Sequence, residues 1–177
     1  MRLRTKNLAD YAQDKAFRTP EAVAIYLENG EHIRFGSIFK EAMALATSLS
    51  NLGLKAGDVI SFQLPNWRET VALDIAAVWL GLVVNPVIPI YRDHELAFIL
   101  ADSRCRCLFI PGVYRGYDFP EMIERLSPEL PDLQHVITVR DDAQREGAAN
   151  TMLRYENLIE PRNELVPAKQ PTDMSAV

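Results

Sequence analysis

The chain has 177 residues, of which 48% are hydrophobic and 24% charged, with a formal net charge of −5. That length buries one sizeable core, and the composition excludes disordered, collagen-like and disulfide-dense small proteins. The acidic balance, with no Lys/Arg stripe anywhere along the chain, speaks against a nucleic-acid surface.

The opening Met1-Arg2-Leu3-Arg4-Thr5-Lys6 is basic but runs into Asp10, Gln13 and Asp14 rather than an apolar stretch, so it is not a secretion signal. Leu8, Tyr11 and Ala12 stand at helical spacing, and Arg18-Thr19-Pro20 ends that pattern. Ala22–Leu27 and His32–Phe35 flank Glu28-Asn29-Gly30-Glu31, and the Asn-Gly pair predicts a β-hairpin closed by a type I′ turn. Ser37 is the expected N-cap of a helix with Ile38, Ala42, Leu45, Ala46, Leu49 and Leu52 on its apolar side, stopped by Gly53.

Val59–Leu64 then reads as a strand closed by Pro65-Asn66, and Trp67–Leu82 as a strongly apolar helix with Asn66 as its expected cap. The apolar run Val71–Ile90 is interrupted by Asp74, Asn85 and prolines, which argues against a membrane span. Val83–Pro89 is β-branched but carries Pro86 and Pro89, so it pairs only in part. A helix capped by Asp93 runs to about Ala101, Cys105–Ile110 is a compact strand, Phe119–Leu126 a helix, and Val136–Val139 a last strand. Thr151–Ile159 reads as one more amphipathic helix, and Pro161–Val177 carries three prolines.

Strands alternating with helices predict an α/β fold: a mainly parallel sheet flanked by helices, with the early hairpin at the edge. Residues 1–140 form the expected α/β unit, and residues 141–177 a helix and Pro-containing linker. Cys105 and Cys107, two apart on the predicted strand, are expected to face the same way as buried thiols in a reducing cytoplasm. Three scattered histidines add no metal-ligand pattern. His94 and Glu95 adjoin one another, but neighbouring helical side chains diverge, so Glu95 belongs to a solvated first turn rather than to an acid–base pair. No Gly-x-Gly-x-x-Gly, Gly-x-x-x-x-Gly-Lys-Ser/Thr, His-Glu-x-x-His or Gly-x-Ser-x-Gly occurs.

Leu52-Gly53-Leu54-Lys55-Ala56-Gly57-Asp58-Val59-Ile60-Ser61-Phe62-Gln63-Leu64-Pro65-Asn66 resembles the L-G-[LV]-x-x-G-D-x-V-x-x-x-L-P-N signature of adenylate-forming acyl-CoA synthetases, with Ile60 at the usual Val. Ala76–Pro89 resembles the A-x-x-x-x-G-A-[VI]-x-x-P-[LI]-x-P segment that follows it, and Glu95–Ser103 the E-L-x-[YF]-[IL]-L-x-D-[SA] helix. In character the chain is similar to ligases for medium-chain, alicyclic or aromatic acids.

The resemblance implies a two-step reaction. A carboxylate attacks the α-phosphate of ATP to give an acyl-adenylate, and the thiol of CoA displaces AMP, with Mg²⁺ and a lysine neutralising charge in the first step. ATP, Mg²⁺ and CoA are the implied cofactors, and a carboxylic acid the implied substrate. Asp173-Met174-Ser175-Ala176-Val177 resembles the approach to the family's phosphate loop, so no catalytic residue is expected within the chain. The resemblance assigns Arg115 to a CoA phosphate. Asn66, Trp67 and Asn85 follow predicted strand ends, where parallel sheets place ligands, but Asn66 is expected mainly to cap the Trp67 helix and Trp67 to be a packing residue.

The leading expectation is the N-terminal part of an ATP-dependent acid–CoA ligase, inactive alone and prone to self-association through surface meant for the remainder. The alternative is a stand-alone α/β interaction or regulatory domain that kept the ligase scaffold, which coding sequence beyond Val177 would distinguish.

Overall fold

The computed structural model describes residues 6–142 and 152–160. Helix α1 (Leu8–Arg18) starts at Asn7, whose side chain accepts from the Asp10 amide while the Asp10 carboxylate accepts from the Asn7 amide. Strands β1 (Val23–Tyr26) and β2 (His32–Arg34) form a separate antiparallel hairpin at the margin, packed on α2 (Phe35–Asn51). Its connection is not a type I′ turn. Gly30 has φ +85° but Asn29 is not in the left-handed region, and the Gly30 amide donates to Leu27 O. The Asn29 side chain instead accepts from the Glu31 amide, which holds a longer loop.

Two further cap expectations are corrected. Arg34, not Ser37, is the N-cap of α2, and the Ser37 hydroxyl donates to Arg34 O. Arg92, not Asp93, caps α4 (Asp93–Asp102), where the Glu95 carboxylate accepts from the Arg92 amide.

The central sheet comprises β3 (Val59–Phe62), β4 (Val83–Pro86), β5 (Cys107–Pro111), β8 (His135–Val139) and β9 (Leu153–Arg154), in the order β4-β3-β5-β8-β9 and parallel throughout. A small hairpin, β6 (Val113–Tyr114) and β7 (Tyr117–Asp118), interrupts the path from β5 to α5 (Phe119–Leu126). β4 lies at one edge, as its proline content requires.

The sheet separates two cores. Ile60, Cys107, Phe109, Ile137 and Val139 pack with α1, α2 and α3 (Arg68–Leu80) on one face. Leu108, Ile110 and Val136 pack with α4 and α5 on the other. The alternation along β5 is the period of two that a strand buried on both faces demands. It also places the cysteines differently from the expectation: the strand begins at Cys107, which joins the first core, whereas Cys105 precedes the strand and joins the second. Both are buried free thiols, and burial pushes both above the usual thiol range.

Within the expected helix 151–159, residues Leu153–Arg154 form strand β9 and only Tyr155–Leu158 are helical, as α6. This segment is fastened to α2: the Tyr155 hydroxyl donates to Glu41 at 2.7 Å and the Ser48 hydroxyl to Leu158 O at 2.7 Å. The Pro-containing stretch after residue 160, with Asp173–Val177, lies outside the described residues. No helix among the described residues is long and apolar enough to cross a membrane.

Candidate functional site at the carboxyl edge of the sheet

The two edges of the parallel sheet are built differently. At the amino edge Asp58 accepts from the Lys55 amide and from Arg106 at 2.8 and 2.9 Å, Arg106 also reaches Gln134, and a His135 ring nitrogen bonds Leu52 O. These contacts tie the amino ends of β3, β5 and β8 together.

At the carboxyl edge the strand order reverses. From β3 the chain passes through α3 to β4 on one side, then through α4 to β5 on the other. The two helices lie on opposite faces, so the carboxyl ends of β3 and β5 form the switch point at which open α/β sheets place their ligand crevice.

Side chains from both loops meet there. Trp67, at the start of α3, sets its ring edge-to-face against Tyr114 of the β6–β7 hairpin, with centroids 5.5 Å apart and an interplanar angle of 88°. The guanidinium of Arg140, the residue after β8, lies 4.3 Å from the Trp67 ring centre. Arg140 Nε and one terminal nitrogen donate to the two oxygens of Glu69 at 3.0 and 2.9 Å. Glu69 is only 5% exposed, so this fork is what makes burying its charge tolerable. Arg68 extends the network to Glu41 and so to Tyr155.

Gln63 closes the floor of the crevice. Its amide donates to Phe109 O at 2.8 Å, and its fully buried side-chain nitrogen donates to Ile88 O and Tyr91 O at 3.1 and 2.9 Å. One side chain thereby fixes the loop after β4. Its own Oε1 is buried without a partner among the described residues.

The decisive observation is a match in sequence over this whole framework: the AMP-binding enzyme family model matches residues 12–177. The chain belongs to that family. It is 30% identical over 133 residues to the medium-chain fatty-acid–CoA ligase of Escherichia coli, covering 75% of this chain and 24% of the relative. It is 26% identical over 142 residues to the 2-hydroxy-7-methoxy-5-methyl-1-naphthoate–CoA ligase of Streptomyces carzinostaticus, covering 80% and 25%. The chain thus spans about a quarter of the length of these curated relatives. The fold matches a crystal structure of the anthranilate CoA ligase AuaEII in complex with anthranoyl-AMP, with a TM-score of 0.79 and 22% identity over 93% of this chain and 30% of that one.

In this AMP-binding family member Arg115 occupies the tip of the β6–β7 hairpin. Arg115 and Gly116 have φ of +51° and +75°, the requirement of a type I′ turn, so the tight turn sought at Asn29-Gly30 occurs here instead. The Arg115 side chain is exposed, lies 5.4 Å from the Tyr114 ring centre and has no carboxylate partner among the described residues. An uncompensated guanidinium on a narrow turn suits a phosphate ligand.

The other residues singled out in the sequence separate into different roles. Asn66 is exposed and does not cap α3, because Trp67 is the N-cap and accepts from the Thr70 hydroxyl through its carbonyl. Asn85 lies within β4 and donates to the Ser61 hydroxyl at 3.1 Å, a cross-strand tie rather than a ligand contact. His94 and Glu95 are both exposed, and backbone amides at Glu95 and Arg92 hold the Glu95 carboxyl below the usual range. Asp93, held low by its hydrogen bond with Arg125, also accepts from the Tyr117 hydroxyl and steadies the far side of the hairpin.

Sequence reasoning missed Gln63, Glu69, Tyr114 and Arg140. One signal existed: Arg140 directly follows the carboxyl end of a buried strand, whereas Glu69 stands in the first turn of α3, where an acidic residue is ordinary.

Proposed function

We propose that this chain is the N-terminal part of an ATP-dependent carboxylic acid–CoA ligase. It supplies the scaffold and the CoA-facing wall of the site, and it does not form acyl-adenylate by itself. The observation that carries the reading is the Trp67–Tyr114 pair across the strand reversal, with Arg115 exposed on the turn beside it. The relatives named as CoA ligases support the reaction class, and an acyl-AMP accompanies the AuaEII structure.

CoA supplies the thiol that displaces AMP. On this chain Arg115 is the group that fits its phosphates, because its charge is accessible and not already paired among the described residues. Among the described residues no three His, Cys, Asp or Glu side chains group as metal ligands. The α/β unit takes in β9 and α6 as well as the residues before 140, and the residues after it are proposed to lead toward the ATP-binding region. The exposed Ile88, Ile90, Phe98 and Val113 support self-association of the isolated chain.

The test is ATP–pyrophosphate exchange by the purified chain with medium-chain fatty acids and aromatic acids. No exchange above the protein-free background is expected. Measurable exchange with any of them would contradict the proposal.

A further inference from the structure

Beyond the contact made by Arg115 itself, we propose that Arg140 is a positioning residue for it, acting through Trp67 and Tyr114 to hold the β6–β7 hairpin at the mouth of the crevice. The inference rests on the reading of Arg115 as a CoA phosphate contact.

Four side chains stand in a row across the strand reversal. Arg140 follows β8, Trp67 follows β3, and Tyr114 and Arg115 follow β5. The guanidinium of Arg140 covers one part of the Trp67 ring at 4.3 Å, and Tyr114 meets the same indole edge-to-face at 5.5 Å. Arg115 then lies 5.4 Å from the Tyr114 ring centre. The indole therefore has its place set from one side by Arg140 and passes that placement to the hairpin on the other.

Arg140 is fixed enough to act as the anchor. Its fork is engaged by both oxygens of Glu69, and its backbone amide donates to Glu156 at 3.0 Å. Its φ of +54° places a non-glycine residue in the left-handed region, a conformation kept only where the surroundings over-determine it. Arg115 shares the exposure and the left-handed φ but has no carboxylate partner among the described residues. The two arginines thus divide the work: Glu69 neutralises Arg140, which orients, and Arg115 keeps its charge for the ligand.

A two-stranded hairpin of this size is not stable alone, so outside contacts decide its conformation. On the Tyr117 side these come from Arg92, whose guanidinium lies 4.1 Å from the ring centre, and from Asp93. On the Tyr114 side they come from Trp67 and from the second core, against which Tyr114 also packs. Removing the Trp67 contact loosens the strand that carries Arg115 while leaving the Tyr117 side in place.

The test compares Arg140→Lys, which keeps the charge but loses the fork and the planar stack, with Trp67→Phe and Arg115→Ala. Hydrogen exchange of residues 113–118 is read against that of β5 and β8, and CoA affinity is read by NMR titration. In Arg140→Lys the hairpin should exchange about tenfold faster with the strands unchanged, and CoA affinity should fall about fivefold. Trp67→Phe should act in the same direction to a smaller extent, which keeps the test valid if Arg140→Lys folds poorly. Arg115→Ala should lose CoA affinity without altering hairpin exchange. The inference is overturned if the hairpin keeps its wild-type exchange in both anchor variants, or if the strands loosen as much as the hairpin. If Arg115→Ala binds CoA as wild type does while Arg140→Lys frees the hairpin, the CoA reading fails and the mechanical coupling stands.

Discussion

Replacing Tyr155 with alanine is expected to lower the unfolding free energy by about 4 kcal/mol, since truncating a buried aromatic leaves a cavity the surroundings fill only in part. Tyr155 is 1% exposed and is among the largest fully buried side chains. Its hydroxyl donates to Glu41, so the truncation also removes a hydrogen bond to a carboxylate whose other partner among the described residues is Arg68. Burial, and then the negative charge of Glu41, push the phenol far above its usual range, so it stays protonated and donating at any ordinary pH. Tyr155→Phe keeps the ring and loses only the hydroxyl, for which about 1–2 kcal/mol is expected. Urea unfolding of both variants checks the pair. A loss below about 1 kcal/mol for Tyr155→Ala would mean that α6 is not docked on α2 as described.

Gly112→Ala is expected to cost about 2 kcal/mol by overpacking and to disturb the hairpin at the same time. A Cβ at this position would lie 2.5 Å from Oδ1, 2.8 Å from Cβ and 2.8 Å from Cγ of Asp141. Those distances involve the root of the aspartate as well as its tip, so rotating the carboxylate does not relieve them. Asp141 is itself buried at 5% exposure and follows Arg140, so its displacement reaches the Arg140–Trp67 stack. Thermal unfolding should show a lower midpoint, and hydrogen exchange should show residues 113–118 loosened. A variant with wild-type stability and an unchanged hairpin would show that the close approach of β5 and β8 at this edge is wrong.

The elements were largely legible because hydrophobic period and turn residues act locally. The parallel sheet, the marginal hairpin, and the helices containing Leu45, Leu73 and Met122 follow from patterns within short windows. The caps were not, because a serine or aspartate near a helix start competes with the backbone path. Ser37 and Asp93 fell inside the first turn rather than before it. The cysteine faces failed for a related reason: Arg104 has φ +50° and delays the strand, so the expected alternation does not begin at Cys105.

Arg115 was reached through resemblance to a family, not through its surroundings, since nothing local distinguishes a turn arginine that binds a ligand from one that is merely solvated. Gln63, Glu69, Tyr114 and Arg140 were out of reach because their partners are remote in sequence. Glu69 and Arg140 are 71 positions apart, and neither the fork nor the stack on Trp67 has a sequence signature. The Gly57-Asp58 pair of the family signature is legible as a motif, yet the structure gives Asp58 a bracing role at the edge opposite the crevice.

The central claim is that separated segments converge at the carboxyl edge of the sheet to present Arg115 to CoA. NMR titration of the labelled chain with CoA tests it most directly. The account predicts shift changes confined to Gln63–Trp67, Ile88–Arg92, Gly112–Gly116 and Arg140, at weak affinity and lost in Arg115→Ala. Changes centred on Lys55–Asp58 and Arg104–Arg106 at the opposite edge, or a titration that moves nothing, would contradict it.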